Sequence, residues 1–347
     1  MKKFTRIISA VLAFVLAISV FSAPVSAASK FKDVSTKTSG YKQIMWASDQ
    51  GIINGFKDGT FKPTSNCTRA QLAVMLWRFN GEPEANGPTS FTDIGNYSEN
   101  VRTAIKWAYL NGIVTGFENG KYYKPEDPVT RQQMAIMLWR MAGKPSVSTS
   151  KNPFSDIADC SSGVKKAIIW LAGNNISKGT DGKFAPYDNC TRAQLAIFLF
   201  RYKFNLNFNS YTAGEVKFWY PKNLNYQEID MSSTDYDFGI TNNAVMIFGE
   251  ILKKSDLASE HRNYTAYEFA KAAYSENITG VARSYVEVDD KLFIFEYIGS
   301  DGTENYFYEY GVFATKSYYT IVIYCCRQAD SGYYQPMFLE WLKAADY

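Results

Sequence analysis

Apolar positions recur at helical spacing in the first part of the chain. Val101, Ala104, Ile105 and Ala108 share one face, with Arg102 and Lys106 between them, and this spacing predicts an amphipathic helix. Stretches of this kind stop at a glycine: Gly51, Gly112, or Gly173 followed by two asparagines. A denser apolar run, Leu72-Ala73-Val74-Met75-Leu76-Trp77, predicts a second, buried helix. Thr68 sits at its N-cap and Gln71 stands three residues later, the pattern of a capping box. From about residue 211 the period drops to two. Alternation predicts strands over 215–220, 243–252, 283–288, 291–298, 308–314 and 318–325, with hairpin turns at Asp289-Asp290 and Ser300–Thr303. Helical spacing returns over 265–275 and 334–345, where Phe338, Leu339, Trp341 and Leu342 share a face. Strands, a helix, a meander and a closing helix imply an α+β domain with an antiparallel sheet.

The helical part is periodic on a longer scale. Thr68-Arg69 returns as Thr130-Arg131 and Thr191-Arg192, with the arginines 62 and 61 positions apart. Phe31/Asp33, Phe91/Asp93 and Phe154/Asp156 keep that beat, as do Trp46, Trp107 and Trp170. Between the two helices of a copy lies Gly51-Ile52-Ile53-Asn54-Gly55, matched by Gly112 to Gly116 and loosely by Asn175 to Gly179. A turn with a following proline (Pro63, Pro125, Pro186) completes the unit. Three copies of a long period mean a repeat architecture. Each arginine falls at the first helical position, beside exposed amides, a natural anion-binding corner. The alternative is that each Asp and Arg pair with each other or cap neighbouring turns.

These residues resemble the S-layer homology repeat, whose marks are F-x-D, G-I-x-x-G, a D-G-x-F-x-P turn and a T-R-A-E box. Copy one carries all four. Copy two has an expanded turn (118–125), copy three has Phe-Ala-Pro, and every box has Gln where Glu is usual. The resemblance covers about residues 31–203 and implies an all-α-rich, pseudo-threefold assembly with grooves between neighbours. It implies non-covalent attachment to a pyruvylated secondary polysaccharide of the bacterial cell wall. Arg69, Arg131 and Arg192 would pair with the ketal carboxylate. Asp33, Asp93 and Asp156 would accept from sugar hydroxyls. Gly55, Gly116 and Gly179 would admit the ligand to the backbone, and Trp46, Trp107 and Trp170 would line the groove.

Charge is divided along the chain. Residues 28–207 hold 23 Lys and Arg against 14 Asp and Glu, a balance of +9, and residues 208–347 hold 11 against 20, a balance of −9. A basic half suits an anionic polymer, though the halves could also attract each other. There is no arginine-rich run, so nucleic acid is not expected. Residues 1–27 read as a secretory signal: Lys2, Lys3 and Arg6, an apolar core from Ile7 to Phe21, and Val25-Ser26-Ala27 before cleavage. No later stretch is long and apolar enough to span a bilayer. The expected divisions are therefore signal 1–27, repeats 28–82, 88–144 and 151–207, and a second domain 208–347.

The chemistry expected of the chain is binding rather than catalysis. No cofactor or metal is expected, because the five cysteines are scattered and His261 is the one histidine, in a polar loop. Cys67 and Cys190 stand where copy two has Val129, so they read as buried thiols; a Cys160–Cys190 bridge is the alternative. Cys325 and Cys326 face opposite sides of a strand. No nucleophile elbow is present. Glu287, Glu296, Glu304 and Glu309 lie on strands and read as a solvated face. Residues 211–347 carry 18 of the 25 tyrosines. Their layout, with Tyr220-Pro221, the hairpins, Tyr318 to Ile321 and a closing helix through Trp341, resembles the PsbP/Mog1-like group. That group implies a domain binding a protein or small ligand. The whole then reads as a wall-anchored binding protein; the alternative is a wall-anchored glycan or peptide hydrolase with catalysis in the C-terminal domain.

Overall fold

A computed structural model describes residues 30–347 apart from 225, 243, 275–284 and 302. The expected signal segment lies outside the described residues. The chain divides into two compact units at residues 206/207, each treated by itself.

The first unit holds six helices: α1 (Tyr41–Asp49), α2 (Arg69–Phe79), α3 (Glu99–Leu110), α4 (Arg131–Met141), α5 (Ser162–Gly173) and α6 (Arg192–Asn207). The even-numbered helices start where the capping boxes place them. Thr68 Oγ1 accepts from Gln71 N at 3.2 Å, while Gln71 Oε1 accepts from Thr68 N at 3.3 Å; Thr130/Gln133 and Thr191/Gln194 repeat the pair. The second helix of one copy packs on the first helix of the next, α2 on α3 and α4 on α5. The last returns to the first: Trp46 of α1 lies 5.3 Å from Phe200 and 6.0 Å from Phe204 of α6.

A ring of backbone hydrogen bonds closes the assembly. Val129 N donates to Cys67 O (2.9 Å), Cys190 N to Val129 O (2.8 Å) and Cys67 N to Cys190 O (3.0 Å). Three chemically similar, fully buried side chains therefore meet where the copies meet. Cys160 is instead beside Tyr187, and all five cysteines are free thiols. Burial pushes the Cys67 and Cys190 thiols up to about 12, which leaves them protonated and inert.

The second unit is α+β. Its main sheet is antiparallel throughout, in the order β3 (Gln227–Glu228), β4 (Phe238–Thr241), β5 (Val245–Lys253), β9 (Tyr318–Arg327), β8 (Asn305–Ala314), β7 (Leu292–Ser300), β6 (Tyr285–Asp289). A hairpin, β1 (Phe208–Ala213) and β2 (Val216–Pro221), makes a two-stranded sheet of its own. Helix α7 (Ala266–Ala273) covers one face, packing among Phe293, Phe295, Tyr310, Tyr319 and Cys325. Helix α8 (Ser331–Ala344) covers the other, with Phe338 and Trp341 against Tyr324. The expected solvated face of acidic residues needs correcting at two positions: Glu296 and Glu309 are 8% and 1% exposed, on the face under α8. Strand alternation gives sidedness but not what covers a side, and a closing helix covers this one.

Candidate functional site

The box arginines build the seams between copies. Each extends from the first turn of its helix into the turn of the following copy, where its Nε donates to a backbone carbonyl. Arg69 reaches Tyr123 O (2.8 Å), Arg131 reaches Phe184 O (2.7 Å), and Arg192 closes the circle at Phe61 O (2.8 Å). Arg192 Nη2 also donates to Asn54 O at 2.9 Å. Aromatic rings hold the guanidinium carbons: Phe117 and Tyr123 at 4.7 and 4.6 Å from Arg69, Phe56 and Phe61 at 4.7 and 4.8 Å from Arg192, and Phe184 at 4.8 Å from Arg131. A guanidinium held over rings while it donates a charged hydrogen bond is a use that suits arginine better than lysine. Arg69 and Arg192 are only 3% and 4% exposed, and Arg131 is half-buried. Desolvation lowers the pKa of all three.

The fixed edge leaves a fork. Among the described residues, no partner engages the Nη atoms of Arg69 or Arg131, and none of those atoms is sealed from solvent. A guanidinium pinned by Nε and rings, with Nη groups left without a protein partner, is a preorganised donor for an oxyanion.

The aspartates act on the same turns. Asp93 accepts from Tyr123 N (2.9 Å) and Lys124 N (2.8 Å), Asp33 from Phe61 N and Lys62 N (2.7 Å each), and Asp156 from Phe184 N (2.9 Å) and Ala185 N (2.7 Å). Burial alone would raise the Asp156 carboxyl, but backbone amides, those of Phe184 and Ala185 first, together with the Lys183 charge hold it below the usual range. Each turn is thus gripped from both sides, its amides by the aspartate of its own copy and its carbonyl by the arginine of the preceding one. This is the turn-capping alternative, extended across copies.

The glycines and tryptophans are placed by packing. A Cβ on Gly55, Gly116 or Gly179 would come within 2.3–2.5 Å of Phe31, Phe91 or Phe154, the phenylalanines of the Phe-x-Asp pairs. Trp46, Trp107 and Trp170 are buried within the helix packing rather than set on a groove wall; Trp170 lies against Tyr202 at 6.2 Å.

One groove is a cavity of about 330 Å³ between the central loop of copy one, α2 and the start of copy two. Arg192 and Arg78 both line it. Ile53, Met75 and Val101 make it partly apolar. Its one carboxylate, Glu126, accepts from Tyr97 OH at 2.6 Å, which pushes the Tyr97 hydroxyl up to about 12. Gln71 caps α2 there without adding a negative charge, as the usual Glu would. Arg78 is not among the residues the repeat marks single out, yet its signal is in the sequence: Arg78, Arg140 and Arg201 stand nine positions after the box arginines. Arg140 Nη1 donates to Ile113 O at 3.1 Å, and Arg201 Nη1 to Ile176 O at 3.5 Å.

The second unit has a cavity of about 460 Å³ lined by Tyr211, Tyr236, Asp230 and Asp237 among others. Two of its carboxylates serve the fold: Asp230 accepts from Ser232 N and Asp237 from Ile251 N. His261 stands against Tyr264 at 5.1 Å. No group of residues suited to a metal ion occurs among the described residues, nor any helix long and apolar enough to cross a membrane.

Comparison with known proteins bears on the first unit. The S-layer homology domain profile matches residues 30–73, 90–135 and 153–196. The chain is 33% identical over 171 residues to an endoglucanase of Bacillus sp. (strain KSM-635), covering 48% of this chain and 18% of that protein. It is 34% identical over 182 residues to S-layer protein EA1 of Bacillus anthracis, covering 51% and 20%. The chain thus spans about a fifth of the length of these relatives. Among solved structures, PsbP of the cyanobacterium Synechocystis sp. PCC 6803 is similar at 11% identity and a TM-score of 0.30, over 40% of this chain and 92% of that one. S-layer homology domains bind cell-wall polymers and mark a protein held at the cell surface. The chain carries three of them over residues 30–196, as a closed helical ring, followed by an α+β domain.

Proposed function

We propose that the ring anchors the protein by gripping a pyruvylated wall polysaccharide, and that the C-terminal domain is a non-catalytic binding domain displayed outward for a protein or small ligand. One observation carries the anchoring reading: Arg69 and Arg131 are fixed along their Nε edges by the next copy, while their Nη groups engage no partner among the described residues. A ketal carboxylate matches that fork, and each charged hydrogen bond is worth about 1.5–3 kcal/mol. The groove at Arg192 supports it further, with a second guanidinium from Arg78 and apolar surface for the ketal methyl. The display reading is supported by burial. Glu296 and Glu309, register partners on β7 and β8, are too enclosed to meet a glycan, and Asp230 and Asp237 of the second unit's cavity are engaged by backbone amides of the fold.

The test uses the mature chain and purified wall sacculi, before and after mild acid removal of ketal groups. Binding should fall at least tenfold on removal. Arg192→Lys with Arg78→Ala keeps one charge but loses the fork, and should weaken binding at this groove while leaving the ring folded by circular dichroism. Undiminished binding to depyruvylated walls would overturn the ligand.

A further inference from the structure

Beneath α8, two carboxylates face each other with little to neutralise them. Glu296 on β7 and Glu309 on β8 are register partners, and directly opposed residues hold their Cβ atoms about 5 Å apart. Gln335 of α8 donates Nε2 to Glu296 Oε1 at 2.6 Å. Glu309 Oε2 finds no partner among the described residues. The helix sits tightly here: a Cβ on Gly311, two positions from Glu309, would lie 2.4 Å from Leu342 Cδ2. The other groups facing Glu309 are few. Tyr324, its register partner on β9, spends its hydroxyl on Trp219 O at 3.1 Å. Lys343 of α8 supplies the one opposing positive charge acting on it.

A carboxylate ion at Glu309 would face a like charge with an unsolvated oxygen, a costly state. A neutral acid there costs far less. Burial first, then the Glu296 charge, pushes the Glu309 carboxyl up to about 9, with Lys343 pulling the other way.

At its start the helix above is held by Gln335 and by Ser331 Oγ, which donates to Gln328 O at 2.7 Å. Asp330 makes no side-chain cap and Pro336 removes one backbone donor. Its far end is tied down, since Asp346 N and O pair with Lys217 O and N at 2.9 and 2.8 Å. An opening of α8 would therefore begin at its N-terminal end.

We propose that α8 is a proton-held latch: a proton on Glu309 keeps it seated, and its hold on the sheet weakens as that proton becomes harder to retain. Lifting α8 bares Tyr324 of the sheet and Phe338 and Trp341 of the helix, an aromatic surface otherwise enclosed. The open form lets Glu309 ionise in water at its ordinary value. The seated form keeps the proton to about pH 9. Between the two values opening releases one proton, so the hold weakens about tenfold per pH unit, and it levels off above the upper value.

Amide hydrogen exchange on the full mature chain tests this, read as protection factors so that the intrinsic pH dependence cancels. Protection in α8 should stay below that of α7 and fall about tenfold per unit between pH 6 and 9. Glu309→Gln should flatten that fall. Glu296→Gln, which keeps the titrating group if Glu309→Gln fails to fold, should bring the plateau to lower pH by removing the facing charge. Equal protection in α7 and α8 at every pH would mean only global unfolding, and would overturn the latch. So would an unchanged slope in Glu309→Gln, or an unmoved plateau in Glu296→Gln.

Discussion

Arg192 and Glu309 are buried almost equally, and they are treated in opposite ways. Arg192 has two carbonyls and two rings around it, from a loop and a turn far away in sequence. Glu309 has an oxygen with no partner and a like-charged neighbour. The ring surrounds its ions with acceptors and so keeps them charged. The sheet surrounds its acid with apolar side chains and so keeps it neutral. Burial alone thus says little about a charged residue; the partners decide whether it remains an ion.

The contrast can be broken most forcefully at the turns. Gly179 has φ +63°, and a Cβ there would lie 2.4 Å from the Lys183 carbonyl oxygen and 2.5 Å from the Phe154 ring. Backbone cannot yield as a flexible side chain can. Gly179→Ala should cost about 3 kcal/mol, from the left-handed conformation and the overlap together. Thermal unfolding of the first unit reads it. If this glycine instead serves only the approach of a ligand, stability will hold and wall binding alone will fall.

Asp93→Ala is next. It strips two amides of a charged acceptor and frees the turn whose carbonyl holds Arg69. A loss of about 2–3 kcal/mol is expected. A double-mutant cycle with Arg69→Lys should show coupling, because both residues hold the same turn. Additive losses would mean that the two grips are independent.

The helices of the ring were legible because their signals are local: a capping box and a 3.6-residue period lie within one copy. The partners of the arginines were not, since Arg192 meets Phe61 across 131 positions. Sequence spacing put the charge at a helix start; only the closed circle puts the next copy's turn against it. In the second unit the meander was readable from alternation, with β5, β7 and β9 near their expected bounds. β1 was not expected, because residues 205–214 read as a polar stretch with scattered aromatics; 205–207 finish α6, and 208–213 become a strand because β2 pairs with them through the turn at Gly214. Residues 283 and 284 of the expected strand at 283–288 lie outside the described residues, as does residue 275 at the end of the expected helix.

Glu309→Gln sharpens the other side of the contrast. The folded pKa lies above the unfolded one, so the stability this group contributes is complete below about pH 4.5 and is lost as pH rises to about 9. A neutral amide removes that loss. Relative to the wild type the variant should gain about 2–3 kcal/mol between pH 5 and pH 7, measured by denaturant unfolding of the second unit. A variant less stable at every pH would mean that the carboxyl is wanted for its shape or hydrogen bonding, not tolerated for its neutrality.

The smallest effect is expected where the ring carries no charge. Cys67, Val129 and Cys190 occupy equivalent places, joined through their backbones, and all are fully buried. The thiols are protonated, and one copy already manages with valine. Cys67→Val should therefore change stability by less than about 1 kcal/mol, since it trades one small apolar group for another of similar volume. The sulfur's one contact with a polar group, Cys67 Sγ to Thr68 O at 3.6 Å, is a weak bond. Calorimetry of the variant under reducing conditions reads it. A loss of several kcal/mol would show that the meeting point of the copies discriminates sulfur from a branched carbon, and that the three copies are less interchangeable there than their shared backbone ring implies.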